Sequence, residues 1–323
     1  MKNISRILTM LALVILLGTV ACGAAATSAA PAPAAAAPAT AAPATAAPAA
    51  GAAPKPTITP DPRIQAGDSE RKLTASDLER TYTLHVPPGW DSARAVPLLF
   101  VFHGHALSVP DVLTYGFNVI ADKNGFLVVY PVGEGGDWSV GTCGGGCCDR
   151  GALSQVDDIA FVRQILADLG ANASIDPKRI YSTGFSSGGC FSYRLACEMS
   201  DTFAAIAPVA SALVYSPCQP QQPVSVLHVH GLSDSIVPYA GGTNCQFPRV
   251  EQSIATWARL DGCTDSAKVV KQGKITHTVH ASCQSGSAVE LYTIEALYHA
   301  WPSEIIFPTT ETIWDFFAAH PKP

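Results

Sequence analysis

A serine between two glycines offers the clearest chemistry in this chain. Residues 184–188 read Gly-Phe-Ser-Ser-Gly, the Gly-x-Ser-x-Gly spacing of a nucleophile elbow, with Ser186 at the centre. In such a turn the serine lies between a strand and a helix, and small residues let the two elements approach closely. The helix N-terminus then directs backbone N–H groups at a developing oxyanion. Strand-like residues 179–183 and helix-like residues 188–199 flank the motif, which favours a catalytic serine over a glycine-rich turn without chemistry.

Two later segments supply the base and the acid that a serine nucleophile needs. Residues 224–229 read as a strand leading into a loop that contains Asp234, and residues 289–294 read as the last strand, followed by His299. The chain order serine, acid, histidine is the order found in α/β hydrolases. His299 is therefore predicted to take the proton from Ser186, while Asp234 fixes the tautomer of the ring and stabilises the imidazolium.

Other residues compete for these two roles. Asp261 and Asp265 are rival acids, but they lie at a helix end and beyond a glycine rather than after a strand. Asp234 itself has the alternative role of capping its own loop through backbone N–H groups. Apart from His105, the remaining histidines are expected in structural, surface or peripheral positions: His85, His103, His228, His230, His277, His280 and His320.

The segment His103-Gly104-His105 closes an early strand-like run at 97–102. A loop in this place supplies one oxyanion donor, and the residue after the nucleophile supplies the other. The backbone N–H groups of His105 and Ser187 are therefore predicted to hold the oxyanion, with Gly104 as the alternative donor in the loop. The side chain of His103 is expected to pack and hydrogen-bond within that loop.

Strand-like and helix-like runs alternate through the rest of the chain. Further strands are predicted at 81–86, 97–102, 126–130 and 203–209, and further helices at 156–169, 249–260 and 305–317. Near-continuous apolar strands separated by amphipathic helices indicate a parallel sheet that is buried on both faces. The predicted fold class is α/β: an α/β-hydrolase fold with a mostly parallel central sheet flanked by helices and braced by disulfides.

Four segments resemble one family. They are residues 184–189, the run 203–210, the acid loop 230–242, and the ending 299–302, which reads His-Ala-Trp-Pro. Together they are similar to the polyhydroxybutyrate depolymerase-like esterases and the related feruloyl and acetylxylan esterases of carbohydrate esterase family 1. The resemblance covers nearly the whole folded part of the chain and implies ester hydrolysis by the same three residues, Ser186, Asp234 and His299.

The resemblance also implies two disulfides and raises a question about the substrate. It pairs Cys197 with Cys218 and Cys263 with Cys283. Tyr298 and Trp301 flank the catalytic histidine and are candidate substrate contacts, since either ring could stack on an aromatic acyl group. Packing beneath the loop is the alternative role for both rings. Tyr298 stands where the family usually has glycine or another small residue.

The first sixty residues have the composition of an exported protein. Lys2 and Arg6 precede an apolar run at 7–20, and small residues surround Cys22, so residues 1–22 are predicted to be an export signal. The segment before Cys22 resembles a bacterial lipobox, which makes Cys22 a candidate for lipidation. Residues 23–62 are almost only alanine, proline, threonine and glycine and are predicted to be a flexible linker. The catalytic domain is predicted at 63–323.

Net charge and cysteine content limit the classes of partner and ligand to be expected. The 20 basic and 26 acidic side chains give a net charge of −6, which provides no electrostatic reason to expect nucleic acid or an anionic membrane as a partner. Contact with a membrane is expected only through a lipid on Cys22. Ten cysteines in an exported chain indicate disulfides, and no His/Cys spacing resembles a zinc site. No metal and no cofactor are expected.

These observations predict an extracellular or envelope-attached serine carboxylic-ester hydrolase that works through an acyl-enzyme. The expected substrates are feruloyl or acetyl esters of plant polysaccharide, or hydroxyalkanoate polyester. Three alternatives stay open: an acyltransferase or a serine peptidase on the same fold, and a non-catalytic envelope binding protein. The presence of serine, acid and histidine in the expected order argues against the binding protein.

Overall fold

The computed structural model describes residues 64–141, 156–242 and 245–323. The predicted export signal at 1–22, the lipidation candidate Cys22 and the predicted linker at 23–62 lie outside the described residues. The domain boundaries therefore stay a prediction, and all described residues fall within the predicted catalytic domain at 63–323.

The described chain builds one ten-stranded sheet with the order β1-β2-β4-β3-β5-β6-β7-β10-β9-β8. The strands are β1 (Gly67–Ala75), β2 (Leu78–Val86), β3 (Val96–Phe102), β4 (Leu127–Pro131), β5 (Ile175–Phe185), β6 (Ala205–Val209), β7 (Ser225–Gly231), β8 (Lys268–Gln272), β9 (Ile275–His280) and β10 (Val289–Ile294). The strands from β4 to β10 in this order pair in parallel, and the two outer strands on each side pair antiparallel. The mostly parallel sheet confirms the predicted fold class.

Strand β3 shows why a continuous apolar run belongs at the centre of this sheet. All seven of its residues are buried. Successive side chains point to opposite faces, so Leu98 and Phe100 join the core on one face, whereas Leu99 and Val101 join the core on the other. By contrast, edge strand β8 is exposed along its whole length and carries a lysine near each end, a composition that discourages pairing with another sheet.

Six helices cover the two faces of the sheet in the described chain. They are α1 (Val109–Leu113), α2 (Phe117–Asn124), α3 (Asp158–Asn172), α4 (Ser187–Glu198), α5 (Val250–Leu260) and α6 (Thr309–Ala319). Side chains of α3 and α4 share the core of one face, and side chains of α2 and α6 share the core of the other. The sequence pattern located α3, α4 and α5 closely but did not reveal α1, α2 or strand β1.

The last helix begins later than predicted. The sequence pattern predicts a helix over residues 305–317, but α6 begins at Thr309, with Pro308 as its N-cap residue. Proline lacks a backbone N–H and clashes with the preceding turn, so it is excluded from a helix interior. Ile305 is instead 98% exposed in the loop that leads to the helix, so its apolar character is not part of the α6 face.

The start of α3 assigns different roles to two adjacent carboxylates. Asp157 caps the helix by accepting the N–H of Ala160. Asp158 is 1% exposed and pairs with Arg80 at 2.8 Å, while its other oxygen accepts the N–H of Ser139 at 2.7 Å. Asp158 stands in the first turn of α3, where a carboxylate suits the helix dipole, and it also ties three separate segments together inside the domain.

Two disulfides brace the side of the domain that contains α5. Cys197 is bonded to Cys218 and Cys263 to Cys283, the pairing that the family resemblance implies. Cys245 is also disulfide-bonded. Cys190 has a free thiol and is buried. Disulfides of this kind persist in oxidising compartments.

Candidate active site

The turn around Ser186 has the geometry of a nucleophile elbow. Strand β5 ends at Phe185 and helix α4 begins at Ser187, so Ser186 is the single residue between them. Its backbone has φ 54° and ψ −119°, a conformation that non-glycine residues rarely adopt. Such a residue costs about 1–3 kcal/mol and persists only where its surroundings enforce it.

Both glycines of the motif are required by close contacts between backbones. A Cβ built on Gly184 would lie 2.5 Å from the carbonyl carbon of Gly188, and one built on Gly188 would meet the carbonyl oxygen of Phe102. Helix α4 can therefore approach strands β5 and β3 this closely only because both positions are glycine. This close packing holds the strained backbone of Ser186 in place.

A continuous chain of hydrogen bonds joins the three residues predicted from chain order. The Oγ of Ser186 lies 3.0 Å from Nε2 of His299, and Nδ1 of His299 lies 2.7 Å from Oδ2 of Asp234. The ring of His299 also packs against Phe185, with 4.7 Å between ring centroids. With Nδ1–H donated to Asp234, the lone pair of Nε2 is free to accept the proton of Ser186.

Asp234 is held as a carboxylate by its loop. Its Oδ1 accepts the backbone N–H groups of Ile236 and Val237, both at 2.9 Å. Burial alone would raise the pKa of Asp234, but the hydrogen bond and charge interaction with His299, together with these two N–H groups, hold the pKa below its ordinary value. Capping of the loop and contact with the histidine are thus two functions of one side chain.

The rival acids lie away from His299. Asp261 accepts the N–H of Val224, which precedes β7, whereas Asp234 follows the end of that strand. The two carboxylates are therefore separated by the seven residues of β7, about 20 Å. Asp265 accepts the N–H of Ala281 beside the end of β9. Neither group contacts a ring nitrogen of His299.

The loop after β3 lies against the nucleophile. A Cβ built on Gly104 would lie 3.3 Å from Cβ of Ser186. The N–H of His105 has no hydrogen-bond acceptor within the described part of the chain. The N–H of Ser187, in the first turn of α4, has no partner within its helix. Two free donors thus flank Ser186, in agreement with the predicted oxyanion hole, which stays a prediction.

The side chain of His103 supports that loop from beneath. It is completely buried, its Nδ1 lies 2.8 Å from the carbonyl oxygen of Gly104, and its Nε2 accepts the N–H of Gly133 at 2.9 Å. Burial lowers the pKa of His103, so the ring is neutral at neutral pH. The structural role expected for His103 matches these contacts.

A cavity of about 160 Å³ opens beside Ser186. Its lining is mainly apolar and consists of Val140, Cys190, Ile236, Val237, Cys245 and Phe247. Besides Ser186, the polar residues of the lining are His105, Asp137 and Ser187. Nδ1 of His105 lies 2.8 Å from Oδ2 of the buried Asp137, and because a carboxylate can only accept, the ring donates its Nδ1–H there. Burial raises the pKa of the Cys190 thiol to about 12, so this neighbour of Ser186 is not a competing nucleophile at neutral pH.

Neither predicted substrate-contact residue lines that cavity. The ring of Trp301 stacks on Tyr115 with 4.1 Å between centroids and meets Phe117 edge-on at 5.9 Å. It borders a separate groove of about 580 Å³ formed with the segment that joins α1 and α2. Tyr298 is 71% exposed. For Trp301 the packing role is the one that the contacts support.

Sequence patterns did not reveal several residues around the cavity. Asp137 follows a short turn after β4, and Phe247 lies in the loop before α5. Neither belongs to a motif or to a periodic run, so no signal in the chain marked them. Cys190 is the exception, since it lies one helical turn beyond Ser186, and its N–H donates to the carbonyl oxygen of that residue.

Two other kinds of site are absent from the described part of the chain. No group of His, Cys, Asp and Glu side chains there is arranged to hold a metal ion. Of the helices at 64–141, 156–242 and 245–323, none has both the length and the apolar character that crossing a membrane requires.

Several known proteins are similar to this chain. A family model described as "Esterase PHB depolymerase" matches residues 80–267. The chain is 30% identical over 238 residues to feruloyl esterase B of Piromyces equi, a match that covers 68% of this chain and 42% of that protein. It is 26% identical over 170 residues to feruloyl esterase C of Emericella nidulans, covering 50% of this chain and 58% of that protein. The chain thus spans about half the length of these curated relatives.

A solved structure shares the fold. The acetyl xylan esterase from Aspergillus awamori superposes with a TM-score of 0.56 at 14% sequence identity, and the match covers 78% of this chain and 99% of that one. At this identity the likeness concerns the fold alone.

Proposed function

Because this chain belongs to the esterase PHB depolymerase family, we propose that it is a serine carboxylic-ester hydrolase with Ser186, His299 and Asp234 as its catalytic triad. The observation that carries the proposal is the unbroken hydrogen-bonded chain from Ser186 Oγ through both nitrogens of His299 to Asp234, at 3.0 and 2.7 Å. The strained backbone of Ser186 and the two free N–H groups beside it support the same conclusion.

The proposed reaction is acyl transfer in two steps. Ser186 Oγ attacks the ester carbonyl carbon while His299 Nε2 accepts the hydroxyl proton, and the oxyanion is held by the N–H groups of His105 and Ser187. His299 then protonates the leaving alcohol, which leaves an acyl-enzyme on Ser186. Water attacks this ester with His299 again as the base, and the acid and the free serine are released. The residues supply every proton transfer, so the steps need no further group.

The size of the cavity favours a short acyl group. A dry cavity of about 150 Å³ in another protein holds benzene, and the cavity beside Ser186 has a volume of about 160 Å³. Acetyl and a four-carbon hydroxyacyl group have no more non-hydrogen atoms than benzene, whereas a feruloyl group has about twice as many. We therefore place acetyl or small hydroxyacyl esters first and feruloyl esters second.

Export is part of the proposal. The disulfides Cys197–Cys218 and Cys263–Cys283 support an oxidising compartment. The apolar N-terminal segment and Cys22 suit secretion with a lipid anchor. Expression in a bacterial host, followed by separation of membrane and soluble envelope fractions, tests the anchor. The protein should move from the membrane fraction to the soluble fraction in the Cys22→Ala variant.

Initial rates on three esters test the activity and the substrate class together. The purified protein is assayed on nitrophenyl acetate, nitrophenyl 3-hydroxybutyrate and nitrophenyl ferulate, which share one leaving group, with Ser186→Ala as the control. We expect both short esters to be cleaved faster than the ferulate, and the variant to lose about three orders of magnitude or more. Faster cleavage of the ferulate would overturn the short-acyl assignment. A Ser186→Ala variant as active as the wild type would overturn the nucleophile.

A further inference from the structure

Three buried side chains link helix α4 to the loop of the proposed acid. The hydroxyl of Tyr193 lies 2.9 Å from Nδ1 of His228, Nε2 of His228 lies 3.0 Å from Nδ1 of His230, and Nε2 of His230 lies 2.8 Å from the carbonyl oxygen of Val237. All three side chains are completely buried. We refer to Tyr193, His228 and His230 as the buried imidazole chain.

Only one arrangement of protons satisfies all three contacts with neutral rings. A carbonyl oxygen can only accept, so His230 must carry its proton on Nε2 and donate it to Val237. Its Nδ1 then accepts from Nε2–H of His228, and Nδ1 of His228 in turn accepts from the hydroxyl of Tyr193. Burial lowers the pKa of His230, and burial together with the neighbouring His230 lowers the pKa of His228 well below its ordinary value. Both rings are therefore neutral at neutral pH.

The last bond of this chain ends on the residue that holds Asp234. Val237 donates its N–H to Oδ1 of Asp234 at 2.9 Å while its carbonyl oxygen accepts from His230. Nε2 of His230 also lies 3.6 Å from Oδ2 of Asp234, the same oxygen that accepts from His299. The Nε2–H group of His230 therefore lies next to the carboxylate of Asp234. At 3.6 Å it is too far away for a hydrogen bond, so it does not compete with His299 for Oδ2.

We propose that His230 is a positioning residue: through Val237 it fixes the acid loop so that Asp234 faces His299, and His228 with Tyr193 fixes its tautomer. The inference rests on the proposed function, since it concerns the acid of that triad. The groups that face His230 are His228, Asp234, His299 and the ring of Tyr239 at 6.0 Å. None of them offers His230 a second acceptor at hydrogen-bond distance, so Val237 is its partner.

Two substitutions of His230 distinguish the loss of its hydrogen bond to Val237 from the loss of the imidazole ring itself. In His230→Gln the amide nitrogen can occupy the place of Nε2 and still donate to Val237. In His230→Asn the amide ends near the place of Nδ1 and cannot reach that carbonyl. We expect His230→Asn to lower kcat on a short ester by about 10- to 100-fold, with KM changed by less than about twofold, because a small displacement of the acid affects the transition state rather than binding. His230→Gln should recover most of the loss.

Thermal unfolding verifies that each variant is folded at the assay temperature. A folded His230→Asn variant with wild-type kcat, or a His230→Gln variant as impaired as His230→Asn, overturns the inference. Tyr193→Phe removes the first donor of the chain, conserves the ring and should give a smaller loss of kcat than His230→Asn. A larger loss also contradicts the inference, because Tyr193 is the residue farthest from Asp234.

Nitrogen NMR of the wild-type protein tests the same idea without turnover. Histidine labelled with ¹⁵N should show His228 and His230 as neutral rings with the proton on Nε2, and His299 with the proton on Nδ1. A proton on Nδ1 of His228 or His230, or a charged ring at pH 7, overturns the inference while leaving the proposed esterase intact. If the wild type cleaves no ester, the proposed function fails instead, and the tautomers still decide whether the chain of bonds exists.

Discussion

Replacing Asp234 by asparagine changes one oxygen of the acid into an amide nitrogen and leaves its shape almost unchanged. The orientation of the new amide follows from the loop. Oδ1 accepts two backbone N–H groups, from Ile236 and Val237, each at 2.9 Å. Turning the amide over would leave both donors facing an NH₂ group at a cost of about 1–3 kcal/mol for each lost bond. The amide oxygen therefore stays on the loop side, and the nitrogen faces His299.

This orientation of the amide reverses the tautomer of His299. The amide N–H must donate to Nδ1 of His299 across the 2.7 Å that now separates Nδ1 from Asp234. The ring then carries its proton on Nε2, which points at Oγ of Ser186 from 3.0 Å and cannot accept the hydroxyl proton. The general base and the charge that stabilises the imidazolium are lost together. We expect kcat to fall by about 10⁴-fold, which corresponds to about 5.5 kcal/mol.

The assay is the initial rate on nitrophenyl acetate at neutral pH for the wild type, Asp234→Asn and the control Asp265→Asn. Asp265 also lies between Ser186 and His299 in the chain, but its carboxylate accepts the N–H of Ala281 and does not contact His299. The Asp265→Asn variant should therefore keep the wild-type rate within about twofold. A loss of less than tenfold in Asp234→Asn would refute the tautomer argument. Strong loss in Asp265→Asn would show that the acid has been misassigned.

Two further predictions concern stability. Burial raises the pKa of Asp261 to about 7. The unfolded chain therefore loses this proton at lower pH than the folded protein does, so the contribution of Asp261 to stability falls as pH rises from about 4 to 7 and is constant above. In urea unfolding, the free energy of unfolding of Asp261→Asn relative to that of the wild type should rise by up to about 4 kcal/mol between pH 4 and pH 8. If the two proteins differ in unfolding free energy by the same amount at both pH values, the burial argument is contradicted. Gly188→Ala forces a Cβ against the carbonyl oxygen of Phe102 and should destabilise the domain by about 1–3 kcal/mol. Its matched control in calorimetry is Gly170→Ala, where a Cβ within helix α3 meets nothing within 4 Å, so stability should be unchanged or higher by up to about 1 kcal/mol; equal Tm values for the two variants would contradict the contact.

The fold and the three central residues could be predicted because their signals are local or follow from chain order. Strands β3, β4 and β6 are buried along their whole length, and each is a nearly continuous apolar run, as a strand covered on both faces requires. The glycines around Ser186 are demanded by contacts that no side chain would allow. Asp234 and His299 follow adjacent parallel strands, β7 and β10, so their loops must meet at one edge of the sheet.

The local sequence pattern did not specify the contacts of residues that suit more than one environment. Asp158 stands in the first turn of α3, which suits any carboxylate, but its contacts with Arg80 and Ser139 depend on segments far away in the chain. Ile305 is apolar at a helical spacing, yet Pro308 delays the helix and leaves that side chain exposed. For Trp301 the sequence leaves substrate contact and packing both open, and in the structure its ring stacks on Tyr115.

The fold class, the order of the site residues and the identity of Ser186 as the candidate nucleophile can therefore be inferred from the amino-acid sequence. Steric demands of glycine and the period of apolar residues act over a few residues and can be read without coordinates. The volume of the cavity beside Ser186 and the hydrogen bonds from Tyr193 through His228 and His230 to the acid loop depend on how the elements pack. Such contacts join residues from separate elements and require specific distances between packed side chains, which no periodicity along the chain specifies.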